Sequence, residues 1–190
     1  RSGTRKEEKL FNAKQIEAPL ANFMQDIIRI PSLSSEEAAV VERARVEMER
    51  IGFDEVRVDR MGNLIGRMGS GPFVIAIDGH IDTVDTGDLS LWERDPHSGD
   101  IEAGILHGRG TCDQKGGVAS AVYAGALLKK EGIPDNITLY VTATVQEEDC
   151  DGLCWQYIIN EEGIRPDLVV ITEPTSLRIY KGQRGRMEME

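Results

Sequence analysis

Four places in the chain set residues able to bind a metal or move a proton just beyond an apolar run or at the mouth of a helix. His80-Ile81-Asp82 follows the run at 73–77, Glu147-Glu148 follows the run at 137–145, Glu173 follows the run at 168–171, and Asp113 stands at a loop-to-helix junction between them. Carboxylates brought within ~4–6 Å of one another repel, and one must take up a proton unless a cation is present. A divalent metal is the simplest remedy. Imidazole with carboxylates is a borderline donor set, suited to zinc, cobalt or manganese rather than to calcium, which prefers all-oxygen shells. Each piece alone is weak: His-x-Asp arises by chance, paired glutamates end many solvated strands, and Glu-Pro is a common turn. Their recurrence at successive strand ends is what carries weight. Glu147 and Glu148 would point to opposite faces of a regular strand. They can serve one site only if the backbone leaves strand geometry there, so that one ligates and the other handles protons.

The elements that must position these residues alternate between strand and helix, which predicts an α/β sheet with helices on both faces. In such a sheet, ligands bind beyond the carboxyl ends of the strands. Ile16, Leu20, Phe23, Ile27 and Ile28 recur at helical spacing, and Ile30-Pro31 closes that helix. A second helix is expected from Ser34, with Ser34 and Glu37 as a capping box, an apolar stripe through Val40, Ala44 and Met48, and Gly52 as its left-handed stop. Strands at 56–58 and 64–68 join through Met61-Gly62-Asn63 as a hairpin, and a smaller hairpin is expected at 101–106. The continuous apolar runs at 73–77 and 168–171 read as strands buried on both faces. Helices are expected over about 114–131, rich in small residues that permit close packing on a sheet, and over about 153–160.

With 22 Lys plus Arg against 33 Asp plus Glu, the net charge of −11 repels phosphate backbones and anionic lipid, so nucleic acid is not an expected partner. No apolar run approaches the ~18 residues needed to span a bilayer, and no signal-peptide core opens the chain, which predicts a cytoplasmic protein without a membrane partner. Cys112, Cys150 and Cys154 make an odd set without disulfide or zinc-finger spacing and read as partly buried thiols in a reducing compartment. His97 and His107 read as ordinary loop residues. Gly108-x-Gly110 and Gly116-Gly117 lack both the dinucleotide fingerprint and a phosphate-loop Gly-Lys-Ser/Thr. The opening Arg1-Ser2-Gly3-Thr4 and the alternating pattern at 184–190 are both expected of a piece of something longer, and the composition of one domain.

Together, His80-Ile81-Asp82, Gly108-Arg109-Gly110-Thr111-Cys112-Asp113-Gln114-Lys115-Gly116-Gly117, Glu147-Glu148 and Glu173-Pro174 resemble the zinc amidohydrolases of metallopeptidase family twenty. These include acetylornithine deacetylase, succinyl-diaminopimelate desuccinylase, aminoacylase and several di- and carboxypeptidases. The stretch from Val145 to Trp155 is similar to the branch of selenium-metabolism-linked hydrolases. The resemblance implies a zinc-exopeptidase-like fold: an α/β three-layer sandwich with a mixed, mostly parallel sheet. It implies two divalent ions, zinc foremost with cobalt or manganese as alternatives. His80 and Glu173 would hold one ion, Asp113 would bridge both, Glu148 would hold the other, Asp82 would orient the His80 imidazole, and Glu147 would act as general base. A cis bond between Asp113 and Gln114 is also implied. Residues 1–180 would be the N-terminal part of the catalytic domain and 181–190 the start of a lid or dimerisation domain, with a last His ligand and much of the pocket supplied by chain not present here. The implied reaction is hydrolysis of an amide or peptide bond in a small N-acyl amino acid or short peptide, by a homodimeric parent protein, with this chain alone weak or inactive. The competing reading is a non-catalytic metal-binding or interaction domain.

Overall fold

The apolar spacing of the first segment produces α1 (Glu17–Ile28), and the computed structural model describes it together with the rest of residues 13–150, 152–180 and 182. The expected lid segment and the opening tetrapeptide lie outside the described residues, Gly182 apart. After α1 come α2 (Ala38–Ile51), β1 (Glu55–Val58), β2 (Leu64–Gly69), β3 (Phe73–His80), the small hairpin β4 (Ile101–Glu102) and β5 (Ile105–Leu106), α3 (Lys115–Glu131), β6 (Ile137–Thr144), α4 (Leu153–Asn160) and β7 (Leu168–Ile171). The main sheet runs β1-β2-β6-β3-β7. β3 lies parallel to both β6 and β7, while β2 is antiparallel to β6 and β1 to β2. The sheet is therefore mixed. Its parallel half gathers the carboxyl ends of β3, β6 and β7, with His80 level with Thr144 and Asp78 level with Ile171.

Strand alternation sorts the side chains between two layers of helix. Leu64, Met68, Leu139, Val141 and Ala143 join Phe23, Ile27, Val40, Ala44, Met48, Val118 and Val122 in one core under α1, α2 and α3. Ile65 and Tyr140, one residue out of step, face the other way and pack with Ile158, Ile164 and Trp155 around α4. Gly52 ends α2 in the left-handed conformation, as its position after the apolar stripe requires.

The structure corrects three readings. The Ser34/Glu37 capping box does not form: α2 begins at Ala38, and its flanking Glu37 makes no capping bond. Ser34 instead donates to Asp82, and Glu37 accepts from the Ser35 and Gln146 N–H groups. The hydroxyl and carboxylate are drawn to the strand ends rather than to the helix. Second, β7 is not buried on both faces. Among the described residues β3 is its one strand neighbour, and its four residues are 41–60% exposed. Third, Cys112 and Cys150 are exposed, and Cys154 alone among the thiols is buried.

One buried cation escaped the sequence reading. Lys115 opens α3 with no exposed surface, and its ammonium donates to the carbonyls of Ile27 and Ile30 at 3.0 and 2.8 Å. It satisfies orphan acceptors at the end of α1 and ties that helix to α3. Burial pushes it down to about 8. Further along α3, Gly117 lets the helix approach Thr172 so closely that a Cβ there would lie 2.4 Å from its Oγ1 and 3.0 Å from its carbonyl oxygen. Gly117→Ala should therefore force α3 away from the turn after β7. The expected loss is roughly 1–3 kcal/mol, the usual range for overpacking, read from urea unfolding; an unchanged midpoint would show that this contact is slack.

Candidate metal centre

Asp82 organises the strand ends. Its side chain is fully buried, and its two oxygens accept from Ser34 Oγ (2.6 Å), the Glu148 N–H (3.1 Å) and the Glu147 N–H (3.2 Å). His80 Nδ1 lies 3.3 Å from one of those oxygens and 3.0 Å from the Asp82 backbone oxygen. The imidazole is thus held with Nδ1 as donor, leaving Nε2 to face the acids.

The departure from strand geometry that Glu147 and Glu148 require is present at Gln146, whose φ of 59° is left-handed. Its N–H donates to Glu37 at 3.0 Å, while the preceding Val145 N–H donates to the Asn63 side chain at 3.1 Å. The chain is gripped on both sides of the bend. Both glutamates consequently arrive at the same end of the sheet.

Around His80 Nε2 lie Asp113 Oδ1 at 3.0 Å, Glu147 Oε2 at 3.7 Å and Glu173 Oε1 at 3.7 Å. Two sets of ligand atoms, His80 with Glu147 and Glu173, and His80 with Asp113 and Glu148, each fall within 4.8 Å of one another. Donors ~2.0–2.2 Å from a zinc ion in tetrahedral array stand roughly 3.3–3.6 Å apart. The spacings fit a divalent ion, and the nitrogen and oxygen donors fit a borderline one. All six residues singled out from the sequence are brought together. Proximity alone groups Glu147 with the imidazole as readily as Glu148, so it does not divide ligand from base. The Asp113–Gln114 peptide is trans, there being no cis bond among the described residues. Positive φ at Gly108 and Gly110 turns the loop, and Asp113 reaches the imidazole without the cis bond.

Crowding of like charges shows in the titration behaviour. Burial alone would depress His80, but its bond to Asp82 and the charges of Asp82, Glu147 and Glu173 raise it to about 10. Burial pushes Glu173 up to about 7, helped by Asp113, Glu147 and Glu148 and opposed by His80. Glu148 is raised mainly by burial, with Asp113 and Asp82 adding to it. Burial would raise Asp82 too, yet its bonds from His80, Ser34 and the Glu148 N–H hold it below the ordinary carboxylate value. Protons thus occupy positions that a cation would otherwise neutralise.

Sequence reasoning missed Ser34, Glu37, Gln146 and Gln114. Ser34 and Glu37 had been spent on a helix cap, and the left-handed bend at Gln146 has no local signal, because glutamine is not a residue that favours it.

The sequence model of peptidase family M20/M25/M40 matches residues 76–183, more than half of the chain and all six residues singled out from the sequence. The chain belongs to that family. YgeY of Escherichia coli (strain K12), described as an uncharacterized protein, is 53% identical over 180 residues, covering 95% of this chain and 45% of YgeY. The [LysW]-lysine hydrolase of Deinococcus radiodurans is 38% identical over 174 residues, 89% of this chain and 45% of that protein. The succinyl-diaminopimelate desuccinylase of Rhodospirillum centenum is 33% identical over 187 residues, 89% of this chain and 47% of that protein. The chain thus spans about 45% of the length of such relatives. Among solved structures, the M20 metallo-carboxypeptidase Sso-CP2 of Sulfolobus solfataricus superposes with a TM-score of 0.70 at 19% identity, over 80% of this chain and 37% of its own. YXEP of Bacillus subtilis, a dinuclear metal-binding M20 peptidase, does so with a TM-score of 0.63 at 19% identity, over 83% and 43%. These two likenesses establish the α/β fold.

The shifts at His80 and Glu173 fix a pH dependence. His80 titrates at about 10 in the folded protein against 6.5 unfolded, and Glu173 at about 7 against 4.5. The folded metal-free protein therefore binds more protons than the unfolded chain. Their stabilisation is complete below the unfolded values and is lost as pH rises through 7 for Glu173 and through 10 for His80. Metal displaces these protons, so its contribution should run the other way. Protein stripped with chelator should lose thermal stability steadily between about pH 6 and 8, below the range in which the depressed Lys115 acts in the opposite direction, while the zinc-induced rise in Tm grows across that interval. Scanning calorimetry with and without zinc checks this, and a stripped protein that becomes more stable over the same interval would contradict the charge arrangement.

Proposed function

We propose that this chain is the metal-binding part of the catalytic domain of a hydrolase that cleaves an amide or peptide bond in a small N-acyl amino acid or short peptide. The observation that carries the proposal is the placement of Glu147 and Glu148 together, beyond a left-handed bend, beside a His80 that Asp82 orients. Hydrolysis needs, beside the carboxylates that ligate, one that takes a proton, and this pair offers both within reach of one imidazole. The succinyl-diaminopimelate desuccinylase, whose name describes removal of an N-acyl group, supports the amide reading, and the M20 peptidases support the peptide one. YXEP, described as dinuclear, supports a pair of ions.

In this reading His80 and Glu173 would hold one ion, Glu148 the other, and Asp113 would serve both; zinc is the first candidate, with cobalt or manganese compatible with the donors. When bound, the ions would supply Lewis-acid polarisation of the substrate carbonyl and of water. Glu147 takes the proton from the attacking water and returns it to the leaving nitrogen. Asp82 touches no substrate: it fixes the imidazole and, through the two N–H groups it accepts, the backbone of both glutamates. Residues 1–180 form the first part of the catalytic domain, and 181–190 open a lid or dimerisation domain in a homodimeric, cytoplasmic protein of the relatives' length.

Glu147→Gln, made in a protein of that full length, should retain both metals and lose ~10²–10⁴-fold in kcat, the usual contribution of general acid–base catalysis. Metal analysis beside kinetics on acyl amino acids, dipeptides and ureido compounds tests it. Loss of metal along with activity would show that Glu147 ligates and that the roles of the two glutamates are exchanged. A full-length protein inert toward the whole panel would favour the non-catalytic metal-binding reading.

The chain by itself offers one ion three protein ligands, His80, Asp113 and Glu173, but the other only Asp113 and Glu148. Three ligands and a water make a workable zinc site; two oxygens do not. Zinc titration of the isolated chain should accordingly show no more than one firmly held ion and little or no hydrolysis. Two equally tight ions bound within a single chain would overturn this division.

A further inference from the structure

Between Asp113 and the buried Lys115 stands Gln114, a residue with no exposed surface and no part in the chemistry described so far. Its side-chain amide spans a slot from α3 to the turn after β7. Nε2 donates to Glu173 Oε1, and Oε1 accepts from Thr172 Oγ1 at 2.5 Å. The direction of the amide is not arbitrary. Glu173 as a metal-binding carboxylate can only accept, so it must meet the NH2 end, and the Thr172 hydroxyl can donate to the carbonyl end. The Asp78 carbonyl, 3.0 Å from the same hydroxyl, is the more distant of its two acceptors. The slot is closed by the absence of side chains: a Cβ on Gly79 would lie 2.8 Å from Gln114 Oε1 and 2.8 Å from Thr172 Oγ1.

On the reading of Glu173 as a metal ligand, we infer that Gln114 is a positioning residue: its amide holds the Glu173 Oε1 that stands 3.7 Å from His80 Nε2, and so fixes where that carboxylate meets the ion. The orientation of the carboxylate is then set by a rigid Thr172–Gln114 pair rather than by its own rotamers. Because Gln114 follows Asp113 in the same turn, one short piece of backbone sets both the acid that approaches His80 directly and the orientation of the acid across from it. Partners of this kind typically change metal affinity by ~10–100-fold when removed.

The test uses the protein of full family length, stripped and reloaded with cobalt, whose visible absorption weakens as coordination number rises. Gln114→Met keeps the length and apolar stem but removes the donor. It should weaken one of the two ions by ~10–100-fold and alter the cobalt absorption of that site as Glu173 loses its fixed orientation. Thr172→Val removes only the hydroxyl that orients the amide; it should shift both readouts in the same direction by less, and this variant carries the test if Gln114→Met does not fold. In the double variant the effects should not add, since both act through one bond. Cobalt affinity and spectrum unchanged in Gln114→Met, or in Thr172→Val where that variant carries the test, would overturn the inference while leaving Glu173 a ligand. Unchanged metal binding in Glu173→Ala would instead remove the reading of Glu173 itself, and this inference with it.

Discussion

The centre depends on one buried carboxylate, that of Asp82. A charge out of water is costly unless its oxygens are satisfied, and here the satisfying donors are the parts the site must align: the Ser34 hydroxyl, the N–H groups of Glu147 and Glu148, and the His80 ring. The requirement to solvate this anion internally draws the end of β6 and the loop before α2 toward the end of β3. Ser34 is taken out of a helix cap to serve it, and Gln146 accepts a left-handed conformation, a strain of order 1–3 kcal/mol, so that two successive N–H groups can point at one carboxylate.

Parallel pairing makes such a convergence possible. β3, flanked by β6 and β7 running in its own direction, delivers His80 level with the end of β6 and two residues beyond the end of β7. An antiparallel neighbour would have presented its amino end there, with its acids at the far edge. The antiparallel strands β1 and β2 are confined to the other side of β6, where they contribute Leu64, Met68 and Ile65 to the two cores and no acid to the centre.

Much of this architecture was legible in the sequence because it rests on local periodicity. The helical spacing of Phe23 and Ile27, the stripe through Val40 and Met48 ended by Gly52, and the apolar runs before His80, Glu147 and Glu173 all formed the elements expected of them. The acids themselves were legible because Asp82, Glu147, Glu148 and Glu173 sat just beyond strands and Asp113 at the mouth of a helix. Non-local competition was not legible. Ser34 and Glu37 have the spacing of a capping box, and nothing within a few residues reveals that Asp82, 48 positions away, binds the hydroxyl more strongly. β7 reads as a doubly buried strand because Leu168 to Ile171 are apolar, whereas burial depends on what lies beside it, and β3 is its sole strand neighbour among the described residues. Gln114 and Lys115 belong to the run that carries the resemblance, but nothing local gave either a role; their roles come from packing between α1, α3 and the turn after β7.

Lys115 shows why the centre calls for a metal. A lysine two residues from Asp113 could have neutralised the acids directly. Its ammonium is instead committed to the Ile27 and Ile30 carbonyls, neutral acceptors at the end of α1. The positive group that does act on Glu148 and Glu173 is His80, and its proton is one that a metal must displace in order to bind its nitrogen. Had the lysine turned toward the acids, the folded protein would gain an ion pair and lose affinity for a divalent ion, because the same carboxylates would be shared with a permanent competitor. Turning it away leaves the repulsion among Asp113, Glu147, Glu148 and Glu173 unresolved by the protein itself. That unresolved repulsion, held in place by Asp82, is what makes the binding of a cation favourable.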